Sequence, residues 1–228
     1  MKKIFFLALT VLSVLSAHAQ FEPGRWSVEP RLGATGSTMT NMPDINLGLI
    51  DETLNSTAIG GFFVGADMEY QATNWLGLSA GINYSQAGSG WEDFTATLDG
   101  VKASMKDMKI QTAYFNIPVT ANFYIWKGLA VRSGLQFGFL TSAKSKGKTE
   151  IKAGNTTTTS DDDEDVKDAF KTFDLSIPVG LSYEFGNHLV IDARYNIGVT
   201  KVNKESFSNG KDARNGVFVL SLGYKLGL

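Results

Sequence analysis

The 228-residue chain has no cysteine, so no disulfide can staple the fold and no thiolate zinc site can form. Histidine, the usual general base near neutral pH, occurs twice, and beyond the N-terminal segment only His188 is left. Positive charge is not in excess: 21 Lys and Arg stand against 23 Asp and Glu, a net charge of −2. That balance leaves no basic stripe to neutralise phosphates, so nucleic acid is not an expected partner. Past the N-terminal segment no long apolar run occurs, which excludes a membrane-spanning helix. It does not exclude spanning strands, whose apolar and polar residues alternate and average out. No cofactor and no metal site is expected.

The N-terminus has a charged start (Lys2, Lys3), an apolar run from Ile4 to Leu15, and a small-residue site, Ala17-His18-Ala19. Residues 1–19 read as a secretory signal peptide cleaved before Gln20. The apolar run is too short for a membrane anchor, which needs about 20 residues. With no cysteine after the small residues, lipid attachment at a new N-terminal cysteine is excluded. Residues 20–228 then form one all-β domain.

What the chain does have is alternation. Tyr114 to Tyr124 reads YFNIPVTANFY, with Phe115, Ile117, Val119, Ala121 and Phe123 in one phase and Asn116, Pro118, Thr120 and Asn122 in the other. Such a period of two predicts a strand with one oily and one wet face. Its length matches the roughly 9–11 residues of a tilted strand crossing a bilayer. The pattern recurs from Trp26 to Thr38, Phe62 to Tyr70, Leu76 to Tyr84, Leu129 to Thr141, Phe173 to Phe185, Leu189 to Val199, and from Phe218 to the C-terminus. The connections alternate too. Residues 39–58, 87–108, 142–171 and 200–215 read as long irregular loops, and Gln71–Asn74, Ile125–Gly128 and Gly186-Asn187 as short turns. Gly186-Asn187 fits a two-residue hairpin turn with positive φ. The predicted fold is an eight-stranded antiparallel up-and-down transmembrane β-barrel, with short periplasmic turns and four long extracellular loops.

A soluble eight-stranded barrel would also alternate, with its oily face inside. Ring volume separates the two. The oily phase carries Phe62, Tyr84, Phe115, Phe137, Phe139, Phe173, Tyr195 and Phe218 among others, more than an eight-stranded interior can hold. The oily face is therefore assigned to lipid. Rings near the short turns (Trp26, Tyr70, Trp75, Phe123, Tyr124, Trp126, Tyr183, Phe185 and Tyr224) fit a membrane–water girdle. On the wet face Glu29, Asp67, Glu69, Asp174, Glu184 and Asp192 stand opposite Arg31, Arg132, Arg194 and Lys225. Paired acids can serve as general acid and base, but these are scattered over most of the strands, and an ion-pair network filling the lumen is the simpler reading.

Three weaker signals remain. Asp161 to Asp165 offers oxygen ligands for Ca²⁺ but lacks the spacing and glycine of a dedicated loop, so it reads as a solvated loop tip. Asn55-Ser56-Thr57 and Asn155-Thr156-Thr157 match glycosylation acceptors. Pro118 and Pro178, each the centre of an Ile-Pro-Val triplet, cannot donate to a ladder and predict bulges.

With its signal peptide, Tyr114-Phe115-Asn116-Ile117-Pro118-Val119, the second Ile-Pro-Val at 177–179, and the closing Ser221-Leu222-Gly223-Tyr224-Lys225-Leu226, the chain resembles the PorT-like outer-membrane β-barrel family of Bacteroidota. The resemblance implies a small OmpA-like or OmpX-like barrel, inserted by the outer-membrane assembly machinery and surrounded by lipid and lipopolysaccharide. The chain ends in Leu228, not the more usual terminal aromatic. The family brings no shared catalytic residues. The expected role is therefore structural or surface-interacting, through loops that meet an unidentified extracellular ligand. An outer-membrane enzyme acting on lipid or peptide, and a soluble periplasmic barrel, are the alternatives.

Overall fold

A computed structural model describes residues 22–42, 45–46, 53–98, 101–154, 156–205 and 211–228; residues 1–19, read from sequence as a signal peptide, and Asn155 lie outside them. Eight long strands dominate: β1 (Trp26–Met39), β2 (Ile59–Thr73), β3 (Leu76–Trp91), β4 (Val101–Trp126), β5 (Leu129–Ala153), β6 (Phe173–Glu184), β7 (Leu189–Gly198) and β8 (Asn215–Tyr224). Each pairs antiparallel with its sequence neighbours, and β8 returns to β1, so the ring closes without an edge. Residues 226–227 prolong the β8 side of that last seam.

Phase decides which way each side chain points. Leu32 sits between Val64 and Leu222 on the outer wall, and all three are exposed. Large exposed hydrophobics occur on every one of the eight strands, from Leu32 and Phe62 through Ile82, Val119, Leu135, Val179 and Ile191 to Leu220. An apolar belt this continuous is far beyond what water-soluble monomers carry. The wet phase points inward: Ser27, Glu29 and Arg31 of β1 are buried, as are Asp67 and Glu69 of β2.

The long loops differ from the expectation. Residues 87–108 and 142–171 were predicted to be irregular, yet β4 has 26 residues and β5 has 25. At about 3.3 Å per residue β4 is on the order of 85 Å long, against an apolar membrane band about 25 Å tall. The surplus rises from the loop end as a four-stranded fin, flanked by Phe94–Leu98 on β4 and by Thr156–Asp165 on β5. Charged residues fill one phase of its central strands and small or modestly apolar ones the other, so no continuous stripe of large apolar residues announces them. The acidic run, expected as a loop tip, is thus an edge strand, and its ten residues are all exposed.

Two further expectations are corrected. No register shift occurs at Pro118 or Pro178. The ladder instead skips two successive pairs beside each proline, Pro118–Gly81 with Ile117–Ile82 and Pro178–Gly134 with Ile177–Leu135, so the interruption falls on one side only. Real irregularities in β4 fall elsewhere, at Lys106/Lys109, Ala113/Tyr114 and Tyr124/Trp126. At the β6–β7 hairpin the left-handed residue is His188 (φ 64), not Gly186 or Asn187. His188 N donates to Phe185 O, and Phe185 N donates to Leu189 O, a three-residue turn ending in a left-handed bulge.

Candidate functional site

The lumen is filled in three tiers. Near the short turns, Lys225 Nζ reaches Glu69 Oε1 at 2.8 Å, the Tyr124 hydroxyl at 2.6 Å and Glu184 Oε2 at 3.3 Å. Tyr124 donates its own proton to Glu69 Oε1 at 2.6 Å, and Asn122 donates to the other oxygen of Glu69. Glu184 also holds His188 Nδ1 at 3.0 Å. Ser79 of β3 pairs with Thr120 at 2.6 Å and accepts from Asn122.

The middle tier is built of arginines. Arg132 Nη2 lies 3.1 Å from Glu29 Oε2 and Nη1 3.2 Å from Asp192 Oδ2. Arg31 bonds Asp67 and reaches Asp192 Oδ1 at 3.5 Å, and Arg194 Nε reaches the same oxygen at 3.3 Å. Asp192 therefore gathers three guanidinium groups contributed by β1, β5 and β7. Arg132 also approaches Glu69 Oε2 at 3.7 Å, which joins this tier to the one below. Small residues make the room: a Cβ on Gly81 would strike Asp67 Oδ1 at 2.1 Å, and one on Gly223 the Arg31 stem at 2.7 Å. Phe63 caps the tier, its ring flanked by Arg31 at 5.4 Å and Arg194 at 5.1 Å, within cation–π reach.

The upper tier is amide-rich, then apolar. Asn116 donates to Asn83 at 2.8 Å and Ser85 at 3.0 Å. Asp174 stands apart from the cations, accepting from Thr200 Oγ1 at 2.9 Å and Asn215 Nδ2 at 3.0 Å. The void lined here by Ser85, Tyr114, Asn116, Gln136 and Asp174 is about 10 Å³, no more than one water's room. Above it Met39, Met42, Tyr114, Leu140, Phe170 and Val202 form a buried apolar cluster with Phe63. Phe170 follows a short 3₁₀ turn, Lys167–Ala169, and bridges to Asn203.

Of the ten luminal residues proposed from sequence, the structure brings nine into one connected system and leaves Asp174 outside it. Among the girdle candidates Tyr124 is a correction: it is buried in the lumen because it shares the phase of Asn122. Trp26, Trp75, Phe123, Trp126 and Tyr224 are exposed, while Tyr70, Tyr183 and Phe185 are half-buried on the outer wall. Trp26 packs on Tyr70 with centroids 4.9 Å apart, Trp75 on Phe123 at 6.3 Å, and Tyr183 on Phe185 at 4.8 Å. At the other end Tyr84, Phe115, Phe139 and Phe173 stand side by side on four consecutive strands. The sequence reading placed Asn122 on the lumen-facing phase, where it is buried, but did not single out Phe63, which shares the inward phase of Asp67 and Glu69. It missed the apolar cluster, which draws in part on loop residues that have no period. Among the described residues no cluster of three metal-ligating side chains occurs.

The family comparison agrees with this architecture. Residues 18–204 match the outer membrane protein beta-barrel domain, and no curated protein matches the chain. Solved structures resembling it include the attachment invasion locus protein Ail of Yersinia pestis, at 17% identity and a TM-score of 0.38 over 90% of this chain and 99% of that one. OprG of Pseudomonas aeruginosa has 12% identity and a TM-score of 0.35 over 92% and 98%. The protease OmpT of Escherichia coli has 9% and 0.32 over 92% and 98%. The family match spans most of a chain whose strands close into an apolar-walled, polar-cored ring, and the chain belongs to the outer membrane protein beta-barrel domain family.

Proposed function

We propose that this is a non-conducting outer-membrane barrel with a structural or surface-interaction role, of the PorT-like kind found in Bacteroidota, whose loops and fin face the outside. The observation that carries the reading is the luminal packing. Five carboxylates (Glu29, Asp67, Glu69, Glu184, Asp192) are interleaved with Arg31, Arg132, Arg194 and Lys225, and the apolar cluster closes the loop end. A lumen so occupied offers no path to ions. Its carboxylates are committed to cations, amides and hydroxyls, and the reading includes no catalytic step. Export relies on the signal peptide, with cleavage before Gln20, and insertion on the assembly machinery. The ring of Trp26, Tyr70, Trp75, Phe123, Trp126, Tyr183, Phe185 and Tyr224 sits at the periplasmic interface.

Planar-bilayer recording of the purified, refolded chain tests this. The expected record is silent, with no unitary steps. Steady open-channel steps from the unmodified protein would sink the closed-lumen reading.

A further inference from the structure

Cross-strand partners share a face of the sheet, which lets the outer wall be followed upward from the aromatic row. Phe115 and Phe139 face each other on that wall. Higher on the same wall Gln111 stands beside Lys144, then Lys109 beside Lys146, Lys106 beside Lys148, and Lys102 beside Lys152. The opposite phase points toward the mouth, where Ala143 is buried in the apolar cluster. The lysines therefore stand on the continuation of the lipid-facing wall, not around the opening.

Like charges directly opposite one another across a ladder are destabilising, yet three such lysine pairs occur here. Local compensation is partial. Lys144 meets Asp163 at 3.2 Å and Lys106 meets Glu150 at 3.4 Å. Asp161 and Asp163 lie across the ladder from Lys148 and Lys146. Among the described residues, Lys102, Lys109, Lys146, Lys148 and Lys152 make no ion pair.

We propose that this lysine wall binds the phosphate groups of the lipopolysaccharide packed around the barrel in the outer leaflet. The proposal rests on the outer-membrane reading and adds the site and the chemistry of its occupant. Position favours that occupant over a soluble polyanion. Lys144 is five residues above Phe139, about 15 Å along the strand, and the wall climbs from there through the layer where phosphorylated sugars lie. A soluble ligand arriving from outside would meet the mouth, whereas these lysines face the neighbouring lipids. Phosphates distributed through that layer attract those lysines that come within a Debye length of them.

The test uses the refolded chain in plain phosphatidylcholine vesicles, titrated with fluorescent lipopolysaccharide. The comparison is a variant carrying Lys102→Gln, Lys106→Gln, Lys109→Gln and Lys148→Gln. The variant should unfold no more easily than the parent in phosphatidylcholine, because like-charge pairs are gone. Its affinity for lipopolysaccharide should fall about a hundredfold at low salt, and the parent should lose as much with dephosphorylated lipopolysaccharide. Retention of affinity within about twofold by the variant, or equal binding of the dephosphorylated form, overturns the proposal, as does preference of the parent for a soluble sulfated polysaccharide. Failure of the parent to enter phosphatidylcholine vesicles at all would instead remove the outer-membrane reading itself, and the proposal with it.

Discussion

Among the described luminal carboxylates Asp192 gathers the most guanidinium groups, with Arg31, Arg132 and Arg194 within 3.5 Å. A buried ion pair adds little net stability, but removing one partner strands the others without compensation. Asp192→Ala is therefore expected to destabilise the folded barrel by about 3–5 kcal/mol, measured by urea unfolding in detergent. Asp163→Ala on the exposed fin should stay within about 0.5 kcal/mol. Gly134 makes a steric counterpart. It lies between Thr120 on β4 and Pro178 on β6, and a Cβ there would fall 2.1 Å from the Val119 carbonyl oxygen. Gly134→Ala should cost about 1–3 kcal/mol through backbone displacement, read in the same unfolding experiment, whereas an unchanged midpoint would show that the wall yields more easily than its packing suggests. At this scale the sequence was readable by phase. Asn122 and Tyr124 share a phase that points inward, and only the preference of tyrosine for interfaces suggested otherwise.

The elements divide by what surrounds them. Strand segments between lipid and a polar lumen must alternate, and those stretches were recognised close to their observed bounds. The fin was not, because Val101 to Lys106 and Lys144 to Ala153 alternate charged residues with small or modestly apolar ones and carry no continuous stripe of large apolar side chains. The apolar cluster escaped for a related reason: Met42, Phe170 and Val202 come from connections whose fold is set by tertiary contact. Pro118 and Pro178 announced irregular ladders, and the structure absorbs each by omitting two successive pairs on the side where the proline stands opposite a glycine. The fin also explains the acidic run. Thr156–Asp165 is an outer edge with unpaired backbone groups, and charge on such an edge opposes pairing with a second copy. Replacing Asp161, Asp162, Asp163 and Asp165 by Asn is expected to produce dimers or larger species through that edge, detected by size-exclusion chromatography in detergent. A monodisperse variant would show that the charges are dispensable there.

At the scale of the whole molecule, closure of β8 onto β1 removes the edges of the ring, and stability shifts to two solvents: lipid outside, and a network of paired charges inside. Fold class followed from the sequence because both solvents impose the same period of two. How the luminal charges connect did not follow, since pairing across the ring depends on register, which alternation leaves open. The absence of cysteine in the chain supplies the most direct measurement, because any introduced thiol is unique. Val119→Cys and Thr120→Cys place a thiol on the outer wall and in the lumen at neighbouring residues, exposed and buried respectively. Labelled with an environment-sensitive fluorophore in vesicles, position 119 should be quenched by lipid-borne quenchers and not by aqueous iodide. Position 120 should resist labelling until the barrel is unfolded. Iodide quenching at 119, or free labelling at 120 in the folded protein, would contradict an oily wall around a filled lumen.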